Sequence, residues 1–230
     1  AKAVYKLVDT AYIGMLDSGI ALTAVGVTVP LLLIMVSIEN IFAAGAGVLA
    51  GRQLGTKDEE GASRTVTTII GLSVVLGILL CVGGIVFMDP IMRAFGASDA
   101  SLPLAKEYAF WMFIAALPNL PAQSMNCAAR AESSVKISSL AVITGAALNV
   151  ILDPIMIFGL LGCPRMGIAG AAIATVIGQF CGMFLGFILN QTRNHELHPP
   201  LHPFFRPHGA VLTATLAVGL PRVGPQATSF

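Results

Sequence analysis

With 230 residues, 56% of them hydrophobic and only 11% charged, the chain is not composed like a soluble domain, in which about 25% of residues are charged. Its net charge of +1 leaves no electrostatic footprint for nucleic acid. Four scattered cysteines, Cys81, Cys127, Cys163 and Cys181, form no CxxC pair, so neither a disulfide framework nor a zinc site is indicated.

The mean hydropathy of +0.83 predicts an all-α, polytopic membrane helix bundle. The chain opens at AKAVYKLVDT without an initiator Met and stops at Phe230 inside an apolar run, so we read it as a fragment of a longer protein, truncated at both ends. The first segment, Ala3 to Leu16, is too short to cross a bilayer, which takes about 20 residues, and reads as the end of a first span. It carries Tyr5, Lys6, Asp9 and Thr10.

Span 2 is predicted from Ala24 to Leu49 with a single charge, Glu39. Gly47 and Gly51 make a small-xxx-small step that lets another backbone approach. A charged loop follows, Arg52 to Arg64, then the uncharged span 3 from Thr65 to Met88, and a polar loop from Asp89 to Glu107. Span 4, Tyr108 to Ala129, is interrupted by Pro118 and Pro121 and places Asn119, Gln123 and Asn126 near one face. After the loop RAESSVK comes span 5, Ile137 to Leu160, which holds the stretch GAALNVILDPIMIFG. There Asn149 and Asp153 stand at i and i+4 and share a face, and Pro154 has no N–H for the carbonyl of Val150. An acid, an amide and a bare carbonyl at membrane depth are costly in hydrocarbon and are retained mostly where ions, protons or substrates pass, the other reading being a buried structural network.

Span 6, Gly167 to Leu189, repeats Gly170, Ala174, Gly178, Gly182 and Gly186 at four-residue steps, a ridge of small side chains for helix-on-helix packing. Thr175 lies beside that ridge. Residues 191–208 read as a solvated linker containing His195, His198, His202 and His208 among prolines, and 209–230 as the start of a seventh span. The loops after spans 2, 4 and 6 hold seven Lys and Arg residues and those after spans 3 and 5 hold three, which puts the first set on the cytoplasmic side. On that orientation Asp9, Asp153 and Thr175 all lie about 10–12 Å from the outer ends of their helices.

The segments YKLVDTAYIGML, AGRQLGTKDEEGA, ALNVILDPIMIFGL and GIAGAAIATVIGQ, in that order and spacing, resemble the multidrug and toxic compound extrusion (MATE) transporters over nearly the whole chain. The resemblance implies twelve helices in two six-helix lobes, of which residues 1–190 would be the first. It also implies a secondary active transporter in the cell (inner) membrane, a monomer among lipids. Such a protein exports organic cations, drugs or other small amphipathic substrates by antiport against H+ or Na+, with no other cofactor and no covalent chemistry. Carried over residue by residue, it makes Asp9, Asn149, Asp153, Thr175 and Asn126 the cation- or proton-binding set, with Na+ as the one metal in question, and Tyr5 a cavity aromatic. Three residues depart from the pattern, the first being Lys2, unexpected in a spanning helix. Lys6 stands where a neutral amide is usual and would blunt Asp9 by pairing with it, and Glu39 maps onto nothing. The rival readings are a lipid-linked oligosaccharide flippase of related architecture, which would line its cavity with basic residues, and a non-transporting assembly factor.

Overall fold

The computed structural model describes residues 19–131, 135–193, 213–215 and 217. Every regular element among them is helical: α1 (Gly19–Gly55), α2 (Glu59–Val86), α3 (Met88–Ala94), α4 (Leu102–Ala131), α5 (Val135–Phe158), a 3-10 turn (Leu160–Gly162) and α6 (Ile168–Arg193). Among the described residues four stretches, Thr23–Gly55, Glu59–Val86, Ser138–Phe158 and Ile168–Asn190, are long and apolar enough to cross a membrane. A fifth long helix among the described residues, α4, has 30 residues but is diluted by its prolines and amides.

Two expected loops are largely helix. The charged loop Arg52 to Arg64 contracts to a turn at 56–58, because Asp58 caps α2 by accepting the N–H of Gly61 on Oδ1 at 2.9 Å. Glu59 and Glu60 then sit in the first turn, where the helix dipole favours negative charge. Within the expected loop from Asp89 to Glu107, α3 is anchored by buried Met88 and Met92 at i and i+4, and α4 begins at Leu102, ahead of the predicted Tyr108. Ser98 and Ser101 exchange backbone-to-hydroxyl bonds at 3.1 and 3.3 Å and start α4 there.

The chain forms two compact units, and each long helix contributes one part to each. The first comprises residues 1–34, 78–117 and 142–182, the second 35–77, 118–141 and 183–230. In the first unit, Tyr108, Met112, Ile157, Ile168, Ala171 and Ala172 form the buried cluster. In the second, Val66, Ile70, Met125 and Ala128 make one cluster and Phe42, Ala46 and Ile69 another.

Small residues set how closely the helices approach. In the second unit α1 and α4 run parallel, with Glu39 bonded to Asn119, Gly47 against the backbone of Cys127 and Gly51 against Ala131. The Gly47/Gly51 step therefore does meet another helix. In the first unit α5 and α6 run antiparallel. Gly170 lies on the backbone of Met156 and Ile157, and Gly178 on Gly145 and Asn149. Gly186 meets Ala141 in the second unit. The ridge on α6 is thus a packing surface for α5.

Candidate functional site

The ridge decides where Asn149 goes. A Cβ at Gly178 would lie 2.7 Å from the carbonyl oxygen of Gly145 and 3.3 Å from Cβ of Asn149, so only glycine lets α5 come this close. The turn joining the two helices holds the same pairing. Gly159 ends α5 in the left-handed region at φ 72°, and the chain folds back so that Met166 N–H bonds to the carbonyl of Met156 at 3.1 Å.

With the backbones this near, one amide links three side chains on two helices. Asn149 Nδ2 donates to Asp153 Oδ1 at 3.1 Å and to Thr175 Oγ1 at 3.1 Å. A side-chain amide has two hydrogens to give, and both are accounted for. Asp153 is fully buried and Asn149 is 3% exposed. Asn149 Oδ1 is buried with no hydrogen-bond partner among the described residues. A carboxylate, a hydroxyl oxygen and an unsatisfied amide oxygen make an acceptor-rich cluster. Pro154 directly after Asp153 withholds the N–H that would have closed on Val150, leaving one more oxygen without its helical bond. Such a set can take up a proton on the carboxylate or gather oxygens round a small cation.

The other members of the expected set are placed differently. Asp9 and Tyr5 lie outside the described residues, as do Lys6 and the linker histidines. Asn126 is half-buried on α4 and belongs to the second unit, where its backbone oxygen accepts Arg130 Nε at 3.1 Å. Among the described residues no group of three or more His, Cys, Asp or Glu is arranged to hold a metal ion.

A second buried acid stands in the second unit. Glu39 on α1 is 5% exposed and accepts Asn119 Nδ2 of α4 on Oε1. The sequence showed Glu39 as a lone charge and Asn119 as one of three polar residues on a face, but nothing local joined them.

The MatE family model matches residues 1–155. The chain belongs to this family. It is 30% identical over 174 residues to the multidrug export protein MepA of Staphylococcus aureus, a match covering 76% of this chain and 38% of that protein. A match at 31% identity to an FAD transporter of Shewanella oneidensis covers 75% of this chain and 38% of the relative. Among solved structures, the outward-facing form of a multidrug resistance MATE transporter of the MOP superfamily superposes with a TM-score of 0.88 at 28% identity, over 98% of this chain and 49% of that one. The inward-facing form of such a transporter gives 0.86 at 27% identity, over 97% and 50%. This MatE chain therefore spans about half the length of the transporters it superposes on and less of the curated relatives. With its apolar helices and these relatives, it is a multi-pass membrane protein.

Proposed function

We propose that this chain supplies one lobe of an antiporter that exports small organic cations or other amphipathic compounds against an inward flow of H+ or Na+. The observation that carries the reading is the buried Asn149–Asp153–Thr175 cluster. A fully buried carboxylate beside an amide and a hydroxyl is a place where a cation can be bound and released without covalent chemistry. Occupation of that cluster would favour one arrangement of the bundle over another, and a ligand shifts such an equilibrium only by its differential affinity for the two states. Membership of the MatE family supports export, and the names of the relatives, multidrug export protein and FAD transporter, bracket the substrates as small and chemically varied. A flippase would be expected to use basic side chains here, whereas Asp153 accepts from the amide of Asn149.

Asp153→Asn in the full-length transporter tests this. The variant keeps the shape and a hydrogen-bonding side chain but removes the titrating charge. Export driven by an imposed H+ or Na+ gradient should fall to background in proteoliposomes while the protein still reaches the membrane. Export at the parental rate would reject the coupling role.

A further inference from the structure

Asp153 is not the only buried acid with an asparagine for a neighbour. We propose that Glu39, held by Asn119, is a second reversible proton-binding site, separate from Asp153 and built into the other unit of the fold. Glu39 stands 13 residues before Arg52 on α1, about 20 Å along the helix, so it lies deep in a hydrocarbon layer about 30 Å thick. Ionisable residues at that depth are costly and are kept mostly where protons, ions or substrates move.

The surroundings favour a proton over a larger cation. Glu39 is 5% exposed, and the next turn of α1 carries Phe42, packed with Ile69 of α2 and bordered by Ile38, Ile41, Leu72 and Leu76. That is too closed for an organic cation. Divalent hard ions such as Ca2+ and Mg2+ take about six or more oxygens, and among the described residues no group of three or more His, Cys, Asp or Glu gathers round Glu39. Among the described residues, the groups against this stretch of α1 include Asn119 and, two turns on, Cys127 from α4, the apolar cluster from α2, and Thr215 against Gly45. The described Lys and Arg residues of the second unit, Arg52, Lys57, Arg64, Arg130, Lys136 and Arg193, all lie at or near helix ends, as do Asp58, Glu59 and Glu60.

The choice of asparagine is what makes the site reversible. Toward the carboxylate, Asn119 donates from Nδ2, as it does here. Toward the carboxylic acid, the same amide turned over accepts the new O–H on Oδ1. A lysine or arginine partner has no acceptor and would serve only the ionised form. Asn119 lies between Pro118 and Pro121, each of which removes a backbone bond from α4, so the partner sits on a locally weakened helix that can re-aim it. Asp153 with Asn149 repeats the same acid–amide pairing within one helix.

Infrared difference spectra of the purified full-length transporter, between alkaline and acidic buffer, read the protonated carboxyl groups directly. Glu39→Gln should remove one C=O band and leave that of Asp153, and Asp153→Asn should do the converse. Glu39→Asp, which retains the acid, should restore a band at a shifted frequency, which a purely structural role would not produce. Should Glu39→Gln fail to fold, the parent itself serves. Dicyclohexylcarbodiimide modifies protonated carboxyls in apolar surroundings, and the Glu39 peptide should gain the adduct increasingly as pH falls. Spectra of Glu39→Gln identical to the parent, or a Glu39 left unmodified at every pH, would overturn the proposal. Both measurements use resting protein, so their outcome is independent of whether the export reading holds.

Discussion

Gly178→Ala isolates the contact on which the Asn149 cluster depends. The added Cβ would lie 2.7 Å from the carbonyl oxygen of Gly145, closer than real Cβ atoms come, and that oxygen belongs to helical backbone that cannot swing aside. It would also press on Asn149, whose Cβ is 3.3 Å away and whose N is 3.5 Å away. α5 and α6 must therefore separate. Overpacking of this kind costs about 1–3 kcal/mol. Stretching the Asn149 Nδ2 to Thr175 Oγ1 bond beyond reach adds about 1 kcal/mol. Helix propensity works the other way, since alanine is about 1 kcal/mol better than glycine inside a helix. The net expectation is a loss of about 1–3 kcal/mol from these opposing contributions. Gly83→Ala is the matched control, because nothing lies within 4 Å of the Cβ it would add. The assay is thermal unfolding of the purified transporter in detergent, both variants against the parent. Gly178→Ala should melt several degrees lower and Gly83→Ala at or slightly above the parental temperature. If Gly178→Ala melts with the parent, α5 and α6 do not meet as described, and the account of how Asn149 reaches Thr175 fails with it.

Three further outcomes are expected. Asp58→Ala removes the cap of α2 and should lower stability by about 1 kcal/mol in the same melting assay, while Asp58→Asn should recover most of it. Ser73 and Ser124 share a 3.0 Å hydroxyl bond between α2 and α4, but Ser73 Oγ also reaches the carbonyl of Ile69 at 2.8 Å. Ser124→Ala should therefore cost under about 1 kcal/mol, and a double-mutant cycle with Ser73→Ala should give a coupling of about 0.5 kcal/mol or more. Glu60→Gln should lower the melting temperature only slightly, since its ion pair with Arg64 is 78% and 71% exposed and the lost first-turn charge is worth under about 1 kcal/mol.

Local chemistry explains what could be read from the residues alone. Asn149 and Asp153 are one helical turn apart, so their bond needs only a helix. The four-residue spacing of Gly170, Ala174, Gly178, Gly182 and Gly186 likewise announces a packing face, because spacing on a helix fixes which side chains align. The misplaced loops failed for an equally local reason. Charge and polarity from Arg52 to Arg64 and from Asp89 to Glu107 suggest irregular chain, although Asp58 and the Ser98–Ser101 pair are capping residues and acids suit a helix's first turn.

What no local pattern contains is which helix lies against which. That Thr175 faces Asn149 follows from the antiparallel α5–α6 contact, and that Glu39 meets Asn119, 80 residues later, from the parallel α1–α4 contact. The sequence by itself determined an all-helical membrane chain, its family resemblance and the acid–amide couple of α5. Only the tertiary structure decided the other couple, because a lone buried charge specifies that a partner is needed without specifying where in the chain it stands. In the α5–α6 contact it is the backbone approach allowed by Gly178 that brings Asn149 and Thr175 within the 3 Å reach of a hydrogen bond.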